Sequence, residues 1–107
     1  MNKVLLQGNL GKNPELTTLP SGMTKCTFSM ATTERRGKDK ENITEWHYVI
    51  AWGKQAEVCA EYLCKGSSVL VDGRLRTRNY EDNSGVKRYV TEIHTNEVTF
   101  LDKKKEV

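Results

Sequence analysis

One short segment interrupts a sequence that otherwise favours strands. In residues 54–65, small and apolar side chains recur at three- and four-residue intervals, the spacing of one helix face, at Ala56, Cys59, Ala60 and Leu63. On either side, alternating apolar side chains with β-branched and aromatic residues predict strands over 3–10, 24–33, 44–52, 67–80 and 86–101. The predicted order is therefore three strands, one helix and two strands. It limits the chain to an all-β fold with one helix.

Glycine and short polar residues mark where these elements end or bend. Gly66 is placed to end the helix in a left-handed conformation, and Gly73 inside the fourth strand predicts a bulge or tight bend. Residues 34–44 form a charged loop, and Asp82-Asn83-Ser84-Gly85 predicts a turn between the last two strands. The chain is thus divided into short strands joined by turns.

This element order is that of the OB-fold, a five-stranded Greek-key barrel with its helix between the third and fourth strands. Other small barrels fit the same order with minor changes. A chain of 107 residues suits one domain, which we place at 1–102, followed by a short basic tail at 103–107. A domain of this size buries only about two-thirds of its unfolded surface, so self-association would bury more.

Composition excludes several classes of protein. No apolar run approaches the ~20 residues of a membrane span, and the N-terminus lacks the apolar region of a secretory signal, so we expect a cytoplasmic protein. Cys59 and Cys64 lie five residues apart in the predicted helix and point in different directions, which argues against a disulfide. We expect reduced, buried thiols at these positions and at Cys26. His47 and His94 lack zinc-ligand spacing, so neither a metal nor a cofactor is predicted.

Positive charge is concentrated in the C-terminal third of the chain, although the net charge is only +3. Alternate residues of a strand share a face. In the fourth strand the even positions carry Asp72, Arg74, Arg76, Arg78 and Tyr80, whereas the odd positions carry Val69, Val71, Gly73, Leu75 and Thr77. Unpaired arginines cannot line a small core, so the odd face is predicted to point inward. An outward row of arginines with one aromatic favours polyanion binding over a merely solvated face.

Periodicity does not decide which face of the third strand points to the core. Its even positions carry Trp46, Tyr48, Ile50 and Trp52, and its odd positions His47, Val49 and Ala51. Alternation alone would send the aromatic face into the core, where two tryptophans are bulky for so narrow a barrel. The same aromatics, if outward, would offer flat rings on which bases stack.

Four fragments of the sequence, in order, match the pattern of one known protein family. The opening Asn2-Lys3-Val4 with Gly8-Asn9-Leu10-Gly11 and Pro14-Glu15 resembles the family's first signature. The other three are Thr44-Glu45-Trp46-His47 with Gly53-Lys54 and Ala56-Glu57, then Tyr62-Leu63 with Lys65-Gly66-Ser67, and Gly73 with Leu75-Arg76-Thr77-Arg78. Together these fragments resemble the family of bacterial and mitochondrial single-stranded DNA-binding proteins. The resemblance runs from Asn2 to about Glu92, with a shortened loop after Arg36.

The resemblance implies an OB-fold, usually a homotetramer, that binds single-stranded DNA in replication, recombination and repair at the nucleoid. It implies that Trp46, Trp52 and Tyr80 stack on bases and that Tyr48 adds a stacking surface where relatives often carry a basic residue. It also implies that cations approach phosphates at Lys3, Lys54, Lys65, Arg76, Arg78 and Arg88, with Arg74 in the same row. His47 matches a histidine at the subunit interface.

Two departures from the family pattern matter. Many relatives carry a further stacking tryptophan in the loop after the second strand, where this chain has Arg35-Arg36; the Arg36 guanidinium can stack on a base too. Relatives usually continue through a Gly/Pro/Gln-rich tail to an acidic tip that recruits other proteins. The printed sequence reaches Val107 through a short basic segment, so recruitment by that route is not carried over.

Two other functions compete with single-stranded DNA binding. A dimeric replication-restart accessory similar to the primosomal replication protein N would fit the short length, but the signatures around Gly8–Glu15 and Thr44–His47 favour the first interpretation. An enzyme is disfavoured because the sequence shows no nucleophile–base pair, no paired carboxylates and no metal-ligand cluster. The nearest acidic group is Asp39, Glu41 and Glu45, around a basic loop.

Overall fold

Six strands and one helix follow one another in the computed structural model, which describes residues 1–102. They are β1 (Val4–Leu10), β2 (Glu15–Thr18), β3 (Thr24–Glu34), β4 (Ile43–Trp52), α1 (Gly53–Tyr62), β5 (Ser68–Glu81) and β6 (Lys87–Phe100). The predicted order around the helix is confirmed. The predicted tail, 103–107, lies outside the described residues.

Five of the strands form a closed ring. The sheet order is β1-β5-β6-β4-β3-β2, and the end of β1 also pairs with β3, so that β1, β5, β6, β4 and β3 enclose the core. All neighbours are antiparallel except β4 and β6, which run parallel at Val49–Ile93 and Ile50–His94. One helix on a closed five-strand ring agrees with the predicted OB-fold.

The core follows the alternation of the strands. Cys26, Phe28 and Met30 on β3 are buried, as their shared face predicts, and meet Val69 and Val71 from β5. Cys26 and Cys59 are free buried thiols, so that burial raises the pKa of Cys26 to about 11 and, with the neighbouring Cys26 adding to it, that of Cys59 to about 12. Cys64 is also free but only partly buried, contrary to expectation.

The helix is shorter than predicted. It ends at Tyr62 rather than at residue 65, although the predicted stripe of Ala56, Cys59 and Leu63 does face the core. Gly66 is left-handed with φ 91°, but it lies beyond the helix end and donates its N–H to the Leu10 carbonyl. That residue therefore ties the turn after α1 to the end of β1 instead of capping the helix.

The β5–β6 hairpin extends beyond the ring. The register shifts between Asp72 and Gly73, as the predicted irregularity requires, but the extra residue is Asn96, so the bulge lies in β6 opposite Gly73; β1 stops pairing with β5 at the same point. We call residues 75–91 the arm; none of them is buried. The inward prediction for the odd face of β5 holds through Gly73 but is wrong for Leu75, which is 47% exposed, and for Thr77. In the arm there is no core for either face to pack against.

One strand was not predicted. β2 pairs with β3 from Glu15–Thr27 to Thr18–Thr24, yet all four of its residues are exposed. The charged loop is also shorter than predicted, because β3 runs on to Glu34 and β4 begins at Ile43. Within the described part of the chain, no helix has the length and apolar character needed to cross a membrane.

Candidate nucleic-acid interface

The aromatic residues of β4 lie on the outside of the ring. Trp46 is 62% exposed and Tyr48 41%, whereas Val49 and Ala51 on the opposite face are fully buried. Ile50, between the aromatics, is only 3% exposed, and Trp52 is partly buried. The structure thus places the rings of Trp46 and Tyr48 outward, as the resemblance implies, and leaves the Trp52 ring only partly exposed.

Trp46 stands beside a shallow cleft of about 240 Å³. Gly11 and Lys12, from the turn after β1, line it together with Ser29 of β3. The indole lies directly against Gly11, so closely that a Cβ at that position would collide with the ring. The glycine therefore lets the turn support one side of the indole and leaves the other side open.

Tyr48 contributes to a second, larger cleft of about 470 Å³. Its other lining residues are Arg78 and Tyr80 from β5 and Val90 from β6. The Arg78 guanidinium carbon lies 5.9 Å from the centre of the Tyr80 ring, within range of a cation–π contact. Flat rings and a cation thus share one opening, as base stacking beside a phosphate requires.

A chain of polar contacts across β6 connects the two strands that carry these residues. The Trp52 indole Nε1–H donates to His94 Nδ1 at 3.1 Å, and His94 Nε2 lies 3.5 Å from Glu92 Oε1. Both Glu92 oxygens accept from Arg78 Nε–H at 3.2 Å. The Glu92 side chain is only 3% exposed, so the guanidinium compensates a carboxylate that would otherwise be buried without a counter-charge.

His94 is held in its neutral form at neutral pH. Burial is the main cause that lowers its pKa below the ordinary value, and the charges of Arg76 and Arg74 add to that shift. Glu92 acts in the opposite direction without cancelling it. A neutral imidazole has one donor and one acceptor. Because Nδ1 accepts from Trp52, the proton is on Nε2, facing Glu92.

Several predicted phosphate-binding cations already have partners within the chain. Lys3 Nζ lies 3.2 Å from Asp72, Arg88 Nε 3.0 Å from Asp82, and Arg74 Nη1 2.9 Å from Asn96. Exposed pairs of this kind contribute little to stability, so an incoming phosphate can replace them. Among residues 1–102, Arg76, Lys54, Lys65 and Arg36 have no carboxylate within ion-pair distance.

The predicted residues do not all meet at one place. Trp46, Tyr48, Trp52, Arg74, Arg76, Arg78 and Tyr80 share the outer side of β4 and β5. Arg36 is in the β3–β4 loop, Lys54 and Lys65 are near the two ends of α1, Lys3 precedes β1, and Arg88 is near the arm's tip. His47 is half-buried and its Nε2 lies 2.8 Å from the Thr32 hydroxyl.

Sequence reasoning missed the residues that support this surface. Gly11 is predicted only as part of the opening signature, and Lys12 is not predicted. Neither Glu92 nor His94 is predicted as part of the site. Positions 88, 90, 92 and 94 alternate on β6, so parity could have grouped the last two with Arg88. Their contacts with Arg78 and Trp52, however, depend on strand register, which the sequence does not specify. In the described residues, His, Cys, Asp and Glu side chains form no group of three able to hold a metal ion.

Two comparisons with known proteins place the chain. The model of the single-strand binding protein family matches residues 1–101. The single-stranded DNA-binding protein 1 of Chlorobaculum tepidum is 43% identical over 108 residues, which cover 97% of this chain and 67% of that protein. Both favour a single-stranded DNA-binding protein over the replication-restart accessory. The family is an OB-fold family without catalytic activity. The chain belongs to the single-strand binding protein family.

Proposed function

We propose that the chain binds and protects single-stranded DNA, without regard to base sequence, on the outer side of β4 and the arm, during replication, recombination and repair. The observation that carries the proposal is the line of outward aromatics, Trp46 and Tyr48 on β4 and Tyr80 on β5, beside the arginines of β5. Stacking and charge do not discriminate between base edges, so binding of this kind tolerates any sequence. The strand would lie over these rings with its phosphates towards Arg74, Arg76 and Arg78.

The remaining predicted cations would extend the phosphate path. Lys3 and Arg88 would exchange their carboxylate partners for phosphate oxygens, whereas Arg36, Lys54 and Lys65 are exposed and would meet a strand that wraps around the ring. A protein with this activity would act at the nucleoid, in the cytoplasm. Staining of the nucleoid by a labelled copy in cells would test that location.

Assembly into a homotetramer is part of the proposal. Leu5 and Leu75, on the paired strands β1 and β5, are 61% and 47% exposed in the single chain. Leu5 pairs with Asp72, so it lies on the opposite face of the sheet from Leu75, and the two mark separate positions that partner subunits would cover. His47 would lie at a subunit interface, so a larger residue there should dissociate subunits before it weakens DNA contacts. Light-scattering mass with and without oligo(dT) reports both properties.

Tryptophan fluorescence during titration with oligo(dT) tests DNA binding directly. Both tryptophans lie in the proposed surface, so we expect quenching that saturates. Trp46→Ala should weaken binding by about 1–3 kcal/mol, the contribution of one stacked base. Tyr62→Ala is the matched control, since Tyr62 is equally exposed, at 65%, but lies on α1 against Phe100. Equal losses in the two variants would contradict the assignment of this surface.

Salt dependence tests the cationic part. The slope of log affinity against log salt should be about −0.7 for each phosphate neutralised on a single strand. With about five phosphates engaged per subunit, raising salt from 50 to 200 mM should cost roughly a hundredfold in affinity. A flat response would show that the arginine row does not face DNA.

A further inference from the structure

We propose that His94 is a positioning residue for Trp52, and that Glu92 and Arg78 hold it in that role. The inference rests on the proposed function, because its consequence for affinity depends on stacking at Trp52. Nothing in the strand pattern alone assigns a role to His94. Its place follows from the contacts on the outer side of β6.

The Trp52 indole is constrained by its backbone position and by a hydrogen bond. Trp52 is the last residue of β4 and immediately precedes α1, so its backbone is fixed by both elements. Its side chain still has two rotatable bonds. The hydrogen bond from Nε1–H to His94 Nδ1 restricts that freedom. The centres of the two rings are 6.1 Å apart and their planes are inclined by 30°. A ring held in advance loses less conformational entropy when a base stacks on it.

The His94 imidazole is itself held in place by its neighbours. His94 pairs with Ile50 on one side and with Arg74 on the other, so its backbone is in the middle of three strands. Glu92 Oε1 lies 3.5 Å from the second ring nitrogen, and Arg78 Nε–H donates to both oxygens of the Glu92 carboxylate. A ligand-contacting group is most precise when the residues behind it are themselves locked by hydrogen bonds and packing. His94 thereby holds the aromatic Trp52, and the buried Glu92 carboxylate holds the cation of Arg78.

The hydrogen bond to Trp52 depends on the protonation state of His94. Neutral His94 accepts at Nδ1, whereas a protonated imidazole has a donor at both nitrogens and cannot accept from the indole. The charged groups that act on His94 are Glu92 on its own strand and Arg74 and Arg76 on β5; β4 contributes the uncharged Trp52. Protonation of His94 therefore breaks its hydrogen bond to Trp52 while the contact with Glu92 remains.

The test uses the indole N–H resonances of the full chain by NMR, assigned with Trp46→Phe and Trp52→Phe. As pH falls, the Trp52 resonance should titrate with His94, below the ordinary histidine range. Trp46, which has no histidine partner among the described hydrogen bonds, is the internal control and should not follow that titration. In His94→Asn, whose side-chain oxygen can accept in place of Nδ1 but does not titrate, the Trp52 response should vanish.

Affinity for oligo(dT) at pH 7.5 gives the second measurement. His94→Val, which removes the acceptor, should weaken binding about three- to tenfold, as expected for one lost hydrogen bond. His94→Asn should recover most of that loss, and thermal melts identify a variant that fails to fold. A Trp52 resonance that ignores His94 protonation, or equal affinity of His94→Val and the unaltered protein, would overturn the inference. If the unaltered protein fails to bind oligo(dT), the proposed function is wrong, while the NMR titration still decides whether His94 holds Trp52.

Discussion

Within the ring, β5 pairs with β1 on one side and β6 on the other, whereas in the arm it pairs with β6 alone. The odd side chains of β5 change accordingly, from fully buried Val69 and Val71 to exposed Leu75 and Thr77. Side chains in the ring are held by packing. Those in the arm are held by side-chain pairs, such as the Thr77–Thr91 hydroxyls across the strands and Arg88–Asp82 between β6 and the turn. One pair of strands thus supplies both a wall of the core and an arm with no buried residue.

The strongest test of this comparison is truncation of one aromatic in each region. Phe28→Ala, in the ring at 3% exposure, should lower the free energy of unfolding by about 3–5 kcal/mol because it leaves a cavity. Tyr89→Ala, in the arm at 69% exposure, should change it by no more than about 0.5 kcal/mol. Urea unfolding measures both. Comparable losses would mean that the arm is buried in the assembly.

The junction between the two regions should be less sensitive than the core but more so than the arm. At Gly73 a Cβ would lie 2.5 Å from the His94 carbonyl oxygen, so Gly73→Ala forces the two strands apart. We expect a loss of about 1–3 kcal/mol by urea unfolding, as for other overpacked sites. Asn79→Ala, further along the same strand, serves as the control and should cost little. An unchanged midpoint in Gly73→Ala would show that the bulge adapts without strain.

Two arginines of the arm should differ although they share a face. Arg78→Ala leaves buried Glu92 without its counter-charge and should lower stability by about 1–2 kcal/mol, reduced from the fully buried case because Arg78 is itself largely exposed. Arg76→Ala should leave stability unchanged and reduce the salt slope of oligo(dT) binding by about 0.7. Thermal melts and salt titrations separate these effects. Equal stability of the two variants would contradict the structural role of Arg78 at Glu92.

The smallest effect is expected at the tip of the arm. The backbone N–H of Val86, then the Arg88 side chain, and the Ser84 N–H hold the pKa of Asp82 below its ordinary value. A carboxyl whose pKa is lowered in the folded state contributes stability above its unfolded pKa and loses it as pH falls through the folded one. Amide shifts of Ser84 and Val86 should therefore titrate in acid, and Asp82→Asn should abolish that titration. Amides that titrate equally in Asp82→Asn would contradict this account.

Local patterns predicted much of this molecule. The helix stripe, the buried face of β3 and the turn after Asp82 each depend on residues close in sequence. β2 was missed because its four exposed residues show no alternation of burial. The exposure of Leu75 was missed because parity tells which residues share a face, but not where the core beneath them ends. Trp46 and Tyr48 were placed outward by resemblance rather than by periodicity.

The ring closes through two narrow contacts. β1 meets β3 only at Asn9–Ala31 and Leu10–Met30, and β4 meets β6 only at Val49–Ile93 and Ile50–His94. The remaining antiparallel pairings join strands next to each other in the chain, apart from β1 with β5. Contacts between residues far apart in sequence form late because loop closure costs entropy first. We therefore expect β2–β3–β4 and β5–β6 to form as separate units, with ring closure as the slow step of folding.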